Sequence, residues 1–277
     1  MNKKLLALYG LKWNPFAPEL PVEALQVTPE VENFCWRIEH ALVREGGFAL
    51  ITGDPGSGKS AVLRLLAERL GRLRDLTLGA ITHPGSNLAD FYRETGDLFG
   101  VELKPHNRRG GFKALRERWL AHPENTLLRP VLLIDEAQEM PACVLSELRL
   151  LTSMQFDARV LLTVILVGDG RLAMKLRRDE LLPLGSRIRT RLVLEYAPRE
   201  ELMACLKHLQ ATAGNPGLMT PELMKTLCDH ALGNYRVLTS PAAELLAAAA
   251  RKEITRLDET LYPSLFAAPA TTARKTA

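Results

Sequence analysis

The sequence predicts a three-layer α/β/α domain on a parallel sheet, followed by a small all-helical domain. Three observations carry this. Between residues 48 and 196, short apolar runs alternate with amphipathic stretches, and such βαβ alternation places helices on both faces of a parallel sheet. The runs at 48–52, 76–81, 130–134, 160–167 and 192–195 read as apolar on both faces, as strands covered from two sides must be. After Tyr196 the strand pattern stops, and three helical segments follow near 198–213, 221–232 and 236–253.

Residues 1–27 are rich in proline and aromatics (Trp13, Pro15, Phe16, Pro18, Pro21) and read as an ordered, mostly irregular arm. Thr28 caps a helix with Pro29 at its first position. Val31, Phe34, Cys35, Ile38 and Leu42 form its apolar stripe, and Gly46-Gly47 ends it. Helices near 60–73, 87–99, 111–121, 142–153 and 170–178 link the strands. Pro198 and Thr220-Pro221 start the first two helices of the second domain. The third contains Pro241, so it begins either at Ser240-Pro241 or near Asn234 with a kink. A short helix near 256–266 follows, and the tail AAPATTARKTA is small, polar and basic, a composition expected to be disordered. The expected divisions are an arm and helix over 1–47, a core over 48–196, a helical lid over 197–266 and a basic tail over 267–277.

With 47% hydrophobic and 25% charged residues the chain has the composition of a globular protein. A net charge of +4 permits a polyanionic partner without requiring one. Cys35, Cys143, Cys205 and Cys228 are scattered with no C-x-x-C pair, which argues against a disulfide framework or a zinc site and for reduced thiols. The opening apolar run is too short for a signal peptide, and no run is long enough to span a membrane. A cytoplasmic location is expected.

Residues 53–60 read GDPGSGKS, directly after the apolar run FALIT. This is a complete G-x-x-x-x-G-K-S phosphate loop in the order strand, loop, helix. Gly53, Gly56 and Gly58 let the backbone fold tightly, so that N–H groups of Gly53, Asp54, Pro55 through Ala61 (proline excepted) can converge on phosphates. Lys59 supplies a point charge for the β- and γ-phosphates, and the Ser60 hydroxyl can bind Mg²⁺. The helix from Ala61 onward aims its positive end at the anion. These residues predict binding of a nucleoside triphosphate.

The run VLLIDE at 131–136 ends in two carboxylates. A phosphate loop needs a second metal contact from an acid at the end of a neighbouring strand, which fits Asp135. Glu136 is then placed to polarise the attacking water as a general base. The run LLTVILVGD ends in Asp169, which either senses the γ-phosphate or caps the helix after it. Arginines at 187, 189 and 191 alternate near the end of the core. Such a cation can reach a nucleotide held by a neighbouring subunit; Arg187 is the first candidate and Arg191 the reserve. Arg236, at the opening of the third helix of the second domain, can reach back over the phosphates. Residues 103–118 hold Lys104, Arg108, Arg109, Lys113, Arg116 and Arg118 against Glu117 alone. That cluster is open to two readings: a phosphate-contacting surface, whose DNA binding would be sequence-independent and salt-sensitive, or a solvated charged loop and helix face.

With these residues in place the chain resembles the AAA+ ATPases, a P-loop NTPase family, and within them the ExeA/TniB/TnsC/IstB-like group. The resemblance runs through YGLKWNPF at the start, GDPGSGKS as Walker A and VLLIDEAQ as Walker B. It continues through ILVGDGRL as the sensor-1 strand, SRIRTRL as the arginine-finger segment and GNYRVL as sensor 2. The family's ExeA-like chains carry Gln where Asp169 stands. The resemblance implies ATP and Mg²⁺ as cofactors, ATP hydrolysis, a homo-oligomeric ring or filament, and Trp13 to Phe16 near the adenine. The ExeA class adds a membrane segment and a peptidoglycan-binding extension, and neither is expected from this sequence. The expectation is therefore a transposition helper that binds double-stranded DNA and recruits a transposase or integrase, with a secretion or assembly ATPase or a slow nucleotide switch as alternatives.

Overall fold

The structure is a computed structural model that describes residues 2–82, 84–85, 87–103, 107–120, 129–154 and 159–266. In chain order it contains α1 (Asn2–Tyr9), α2 (Pro29–Arg37), a π-helical turn over Ile38–Leu42, α3 (Val43–Glu45), β1 (Gly47–Gly53) and α4 (Lys59–Gly71). There follow β2 (Leu76–Ile81), α5 (Leu88–Phe99), α6 (Arg108–Leu120), β3 (Arg129–Ile134), α7 (Ala142–Thr152), β4 (Ser153–Met154), β5 (Arg159–Val160) and β6 (Thr163–Gly168). The last elements are α8 (Gly170–Lys175), α9 (Leu182–Gly185), β7 (Ile188–Leu194), α10 (Arg199–Ala213), α11 (Pro221–Ala231), α12 (Tyr235–Arg251) and α13 (Leu261–Phe266). They fall into two compact units, Val27–Glu195 and the pair of segments Met1–Gln26 and Tyr196–Ala277.

The larger unit is a parallel five-stranded sheet in the order β2-β3-β6-β1-β7. β1, β3 and β6 are central and almost wholly buried, because helices cover both faces and every side chain must be apolar. The edge strand β7 behaves differently. Ile188, Thr190 and Leu192 are buried while Arg189, Arg191 and Val193 face water, the alternation of a half-covered strand. It begins at 188, four residues earlier than the expected 192, because the apolar set sits at every second position among arginines. The run expected at 160–167 divides: Val160 ends β5, which pairs with β4, and Thr163–Gly168 form the central strand β6.

In α2 the capping Thr28 hydroxyl accepts from the Val31 N–H at 3.4 Å, and the whole expected stripe from Val31 to Leu42 is buried. Asn87 caps α5 by accepting from Ala89 and Asp90.

The smaller unit contains α10 to α13 together with the chain's opening residues. The arm expected over 1–27 as mostly irregular is so beyond Tyr9, but it opens with a helix, since Leu5 and Tyr9, one turn apart, are both buried. Phe16 and Leu20 join them in the same apolar core as Leu206, Leu223 and Leu245. Asn234 caps α12 by accepting from the Arg236 and Val237 N–H groups at 3.0 and 3.1 Å. The helix therefore starts at Tyr235 and runs through Pro241.

Candidate nucleotide site

Parallel strands all end at the same sheet edge, and in open α/β sheets that edge is where ligands bind. Thr52 pairs with Gly168, and Ile134 with Leu166. The loop after β1 (Asp54 to Gly58), the acids after β3 (Asp135, Glu136) and Asp169 after β6 are thereby brought to one edge, with β6 between the other two strands. This convergence is the central geometric fact of the molecule.

Gly58 has φ 100°, a left-handed conformation that a side chain resists. It turns the chain directly into the 13-residue helix α4, whose first residues are Lys59 and Ser60. The Lys59 ammonium donates to the carbonyls of Gly53 (2.8 Å) and Asp54 (3.0 Å), and is buried. The Ser57 hydroxyl is buried with no hydrogen-bond partner, an arrangement that costs about 1–3 kcal/mol unless something completes it. A methyl group on Gly53 would lie 2.4 Å from that hydroxyl and 2.6 Å from the Leu194 carbonyl, so the loop root tolerates no side chain.

Burial pushes the Asp135 carboxyl above its ordinary range, with the nearby Glu136 charge adding to this; the Glu136 N–H and the Lys59 ammonium oppose it. Its Oδ1 accepts from the Glu136 N–H at 2.9 Å. Ser60 and Asp135 offer the hard oxygen donors that suit Mg²⁺, so the residues fit that ion. Glu136 is exposed and sits at φ 49°, an uncommon conformation for a side-chain-bearing residue. Its Oε2 accepts from the Gln138 side-chain amide. The Gln138 Oε1 in turn accepts from the Asp169 N–H at 3.2 Å. Gln138 is 7% exposed, and sequence reading did not single it out.

Asp169 has its carboxylate engaged. One oxygen accepts from the Arg171 N–H at 2.8 Å, which caps α8, and the other pairs with the Arg171 guanidinium at 2.8 Å. Of the two uses open to Asp169, the structure displays the cap.

Arg187 immediately precedes β7, whose first residue pairs with Phe48 and whose last pairs with Gly53. Six residues of parallel strand separate it from the loop, roughly 20 Å at about 3.3 Å per residue. Arg187 therefore lies at the opposite sheet edge from its own chain's loop, where it donates to the Pro183 carbonyl at 2.5 Å. Arg191, midway along β7, donates to the Gly185 carbonyl at 3.0 Å. Arg236 belongs to the helical unit, exposed at the start of α12.

The basic segment is rearranged from its expected form. Arg108 pairs with Glu147, a carboxylate 2% exposed, through Nε to Oε1 at 3.0 Å and Nη2 to Oε2. The Tyr92 hydroxyl donates to the same Oε1 at 2.5 Å. Arg116 donates to the Leu150 carbonyl at 3.4 Å and lies over the Phe112 ring, and Lys113 approaches Glu117 at 3.6 Å. Arg109 stands exposed. Lys104 lies outside the described residues, as do Arg274 and Lys275 of the tail.

Residues 43–176 match the family model described as AAA domain. The matched segment carries the phosphate loop, Asp135, Glu136 and Asp169, and its fold is an α/β P-loop fold. The chain is 30% identical over 223 residues to General secretion pathway protein A of Aeromonas hydrophila, covering 79% of this chain and 40% of that protein. Among solved structures it is similar to Cdc6p from Pyrobaculum aerophilum, with TM-score 0.72 and 16% identity over 88% of this chain and 67% of that one. It is also similar to the Aeropyrum pernix ORC1 protein in complex with DNA, with TM-score 0.67 and 18% identity over 90% and 67% of the two chains. At these identities the likeness to the solved structures is one of fold. Among the described residues no helix is long and apolar enough to cross a membrane.

Proposed function

We propose that this protein is a Mg²⁺-dependent ATPase that works as an oligomeric regulator, its active site shared between two copies of the chain. The observation that carries the reading is the convergence of the phosphate loop, Asp135 and Glu136 at one sheet edge, with Arg187 at the other. Residues Gly53 to Ala61 hold the phosphates, and Lys59 moves its ammonium from the loop carbonyls to the β- and γ-phosphates. Ser60 and Asp135 would hold Mg²⁺, which when bound would supply positive charge to the phosphate oxygens. Glu136 accepts a proton from the attacking water. Arg187, which lies at the far sheet edge from the loop of its own chain, completes the site of a neighbouring copy, with Arg191 as the reserve. Asp169 marks the sensor position between the two strand ends, and Arg236 links nucleotide state to the helical unit.

Charge and fold support a nucleic-acid partner. Double-stranded DNA is the proposed polyanion, met through exposed Arg109 and Lys113, with a transposase or integrase as the protein partner. The fold shared with a DNA-complexed ORC1 supports this direction. The second reading is a secretion or assembly ATPase acting on proteins, favoured by the 30% identity to General secretion pathway protein A.

Turnover of the full chain with Mg²⁺, with and without duplex DNA at low salt, tests both. Glu136→Gln is expected to retain ATP and lower kcat by about 10²–10⁴-fold. DNA is expected to bind in the presence of ATP, with an affinity that falls steeply as salt rises. Undiminished turnover in Glu136→Gln would remove Glu136 as the base. A protein indifferent to DNA at low salt would leave the protein-directed reading.

A further inference from the structure

The phosphate site contains a buried amide with no role in the scheme above. Gln138 lies in the single 3₁₀ turn Ala137–Glu139 that follows Glu136. Its side chain spans from the Glu136 carboxylate to the Asp169 N–H. The partners leave one orientation of the amide. The Asp169 backbone N–H can only donate, so the Gln138 oxygen faces it, and the carboxylate can only accept, so the NH₂ group faces Glu136.

The turn that carries Gln138 is fixed on all sides. Lys175, at the end of α8, donates its ammonium to the carbonyls of Gln138 (3.0 Å) and Met140 (2.5 Å). The Glu139 N–H returns to the Glu136 carbonyl at 2.9 Å. Arg171, which pairs with Asp169, also pairs with Glu139 at 2.8 Å. Gly168 leaves space for the amide: a methyl group there would lie 2.5 Å from Gln138 Oε1. An exposed glutamate in a left-handed conformation is thus tethered to a rigid, buried donor that is itself anchored on the end of β6. A base held by a third group is the arrangement that general-base chemistry uses to keep a side chain aimed.

We propose that Gln138 is a positioning residue for hydrolysis, its amide aiming the Glu136 carboxylate and fixing that aim to the end of β6. The bond engages Oε2 and leaves Oε1 open to the water. This rests on the assignment of Glu136 as base.

Two substitutions separate aiming from packing. Gln138→Glu keeps the acceptor for the Asp169 N–H and the side-chain shape, but replaces the donor to Glu136 with a like charge. Gln138→Met keeps the volume and removes both bonds. Kinetics of the full chain with Mg-ATP, together with the binding of a fluorescent ATP analogue, are expected to show kcat lowered about 10–100-fold in both, with KM and nucleotide affinity within about twofold. Wild-type turnover in Gln138→Glu would overturn the proposal, leaving Gln138 as a support for Asp169 alone. An effect confined to KM or to nucleotide affinity would also overturn it. Glu136→Gln measured alongside keeps the outcomes distinct: if it is inactive while Gln138→Glu is active, only this inference fails; if it is active, the base assignment itself fails.

Discussion

Replacing Arg108 with alanine separates a structural arginine from a DNA-binding one. Glu147 is 2% exposed, and its carboxylate is satisfied by two bonds from Arg108 and one from Tyr92. Removing one partner of a buried pair costs about 3–5 kcal/mol, because a charge is stranded. Here the Arg108 side chain is 61% exposed and the Tyr92 bond survives, so water screens part of the loss and about 1.5–3 kcal/mol is expected. For a unit of the size of Val27–Glu195 this corresponds to roughly 3–12 °C in Tm. The pH dependence has a definite sign. Burial pushes the Glu147 carboxyl up, but the hydrogen bonds from Arg108 and Tyr92 and the Arg108 charge outweigh it and hold the group below the ordinary 4.5. A depressed carboxylate contributes stability above its unfolded pKa and loses it as pH falls through the folded value. Wild type and Arg108→Ala should therefore differ fully near neutrality and converge in acid as pH falls through the lowered folded pKa of Glu147. Thermal or urea denaturation across pH measures this, and duplex-DNA affinity below the melting range measures the alternative. An unchanged Tm together with lost DNA binding would refute the argument.

Three further outcomes are expected. Leu232 is 82% exposed at φ 47°, so Leu232→Gly should relieve left-handed strain of about 1–2 kcal/mol, offset by chain entropy to a net gain of about 0.5 kcal/mol in urea unfolding; a loss of stability would mean that Leu232 makes a contact of value. Gly53→Ala should abolish nucleotide binding and lower Tm, since the added methyl would meet the Ser57 hydroxyl at 2.4 Å and the Leu194 carbonyl at 2.6 Å; binding by titration and a melt check both. Mixing Arg187→Ala with Lys59→Ala subunits should restore part of the turnover that each lacks alone, because one supplies an intact loop and the other an intact arginine; no recovery at any ratio would count against Arg187.

Much of the site was legible because its chemistry is local. Gly58, Lys59 and Ser60 are adjacent, and the same octapeptide that names the residues also sets their geometry. Asp135 and Glu136 could be read from an apolar strand ending in acids, since a buried strand has one use for a charge at its tip. The arginines of β7 illustrate the opposite case. The sequence GSRIRTRL draws the eye to its cations, yet its period-two alternation marks a half-exposed strand, a signal available and passed over. Residues 1–27 are mostly irregular as their composition implied, but their prolines and aromatics concealed the four-residue spacing of Leu5 and Tyr9 that the opening helix requires.

What remained hidden was pairing between residues far apart in the chain. The sequence by itself determined the strand–loop–helix of the phosphate site, the acids opposite it and the α/β order, because these depend on neighbours and on hydrophobic period. Only the tertiary structure decided that Arg108 belongs to Glu147, that Asp169 caps α8, and that Gln138 joins Glu136 to the end of β6. Each is a choice of hydrogen-bond partner made when burial removes water. A charged or amide side chain can take many partners in solution, and the fold leaves it the one within reach.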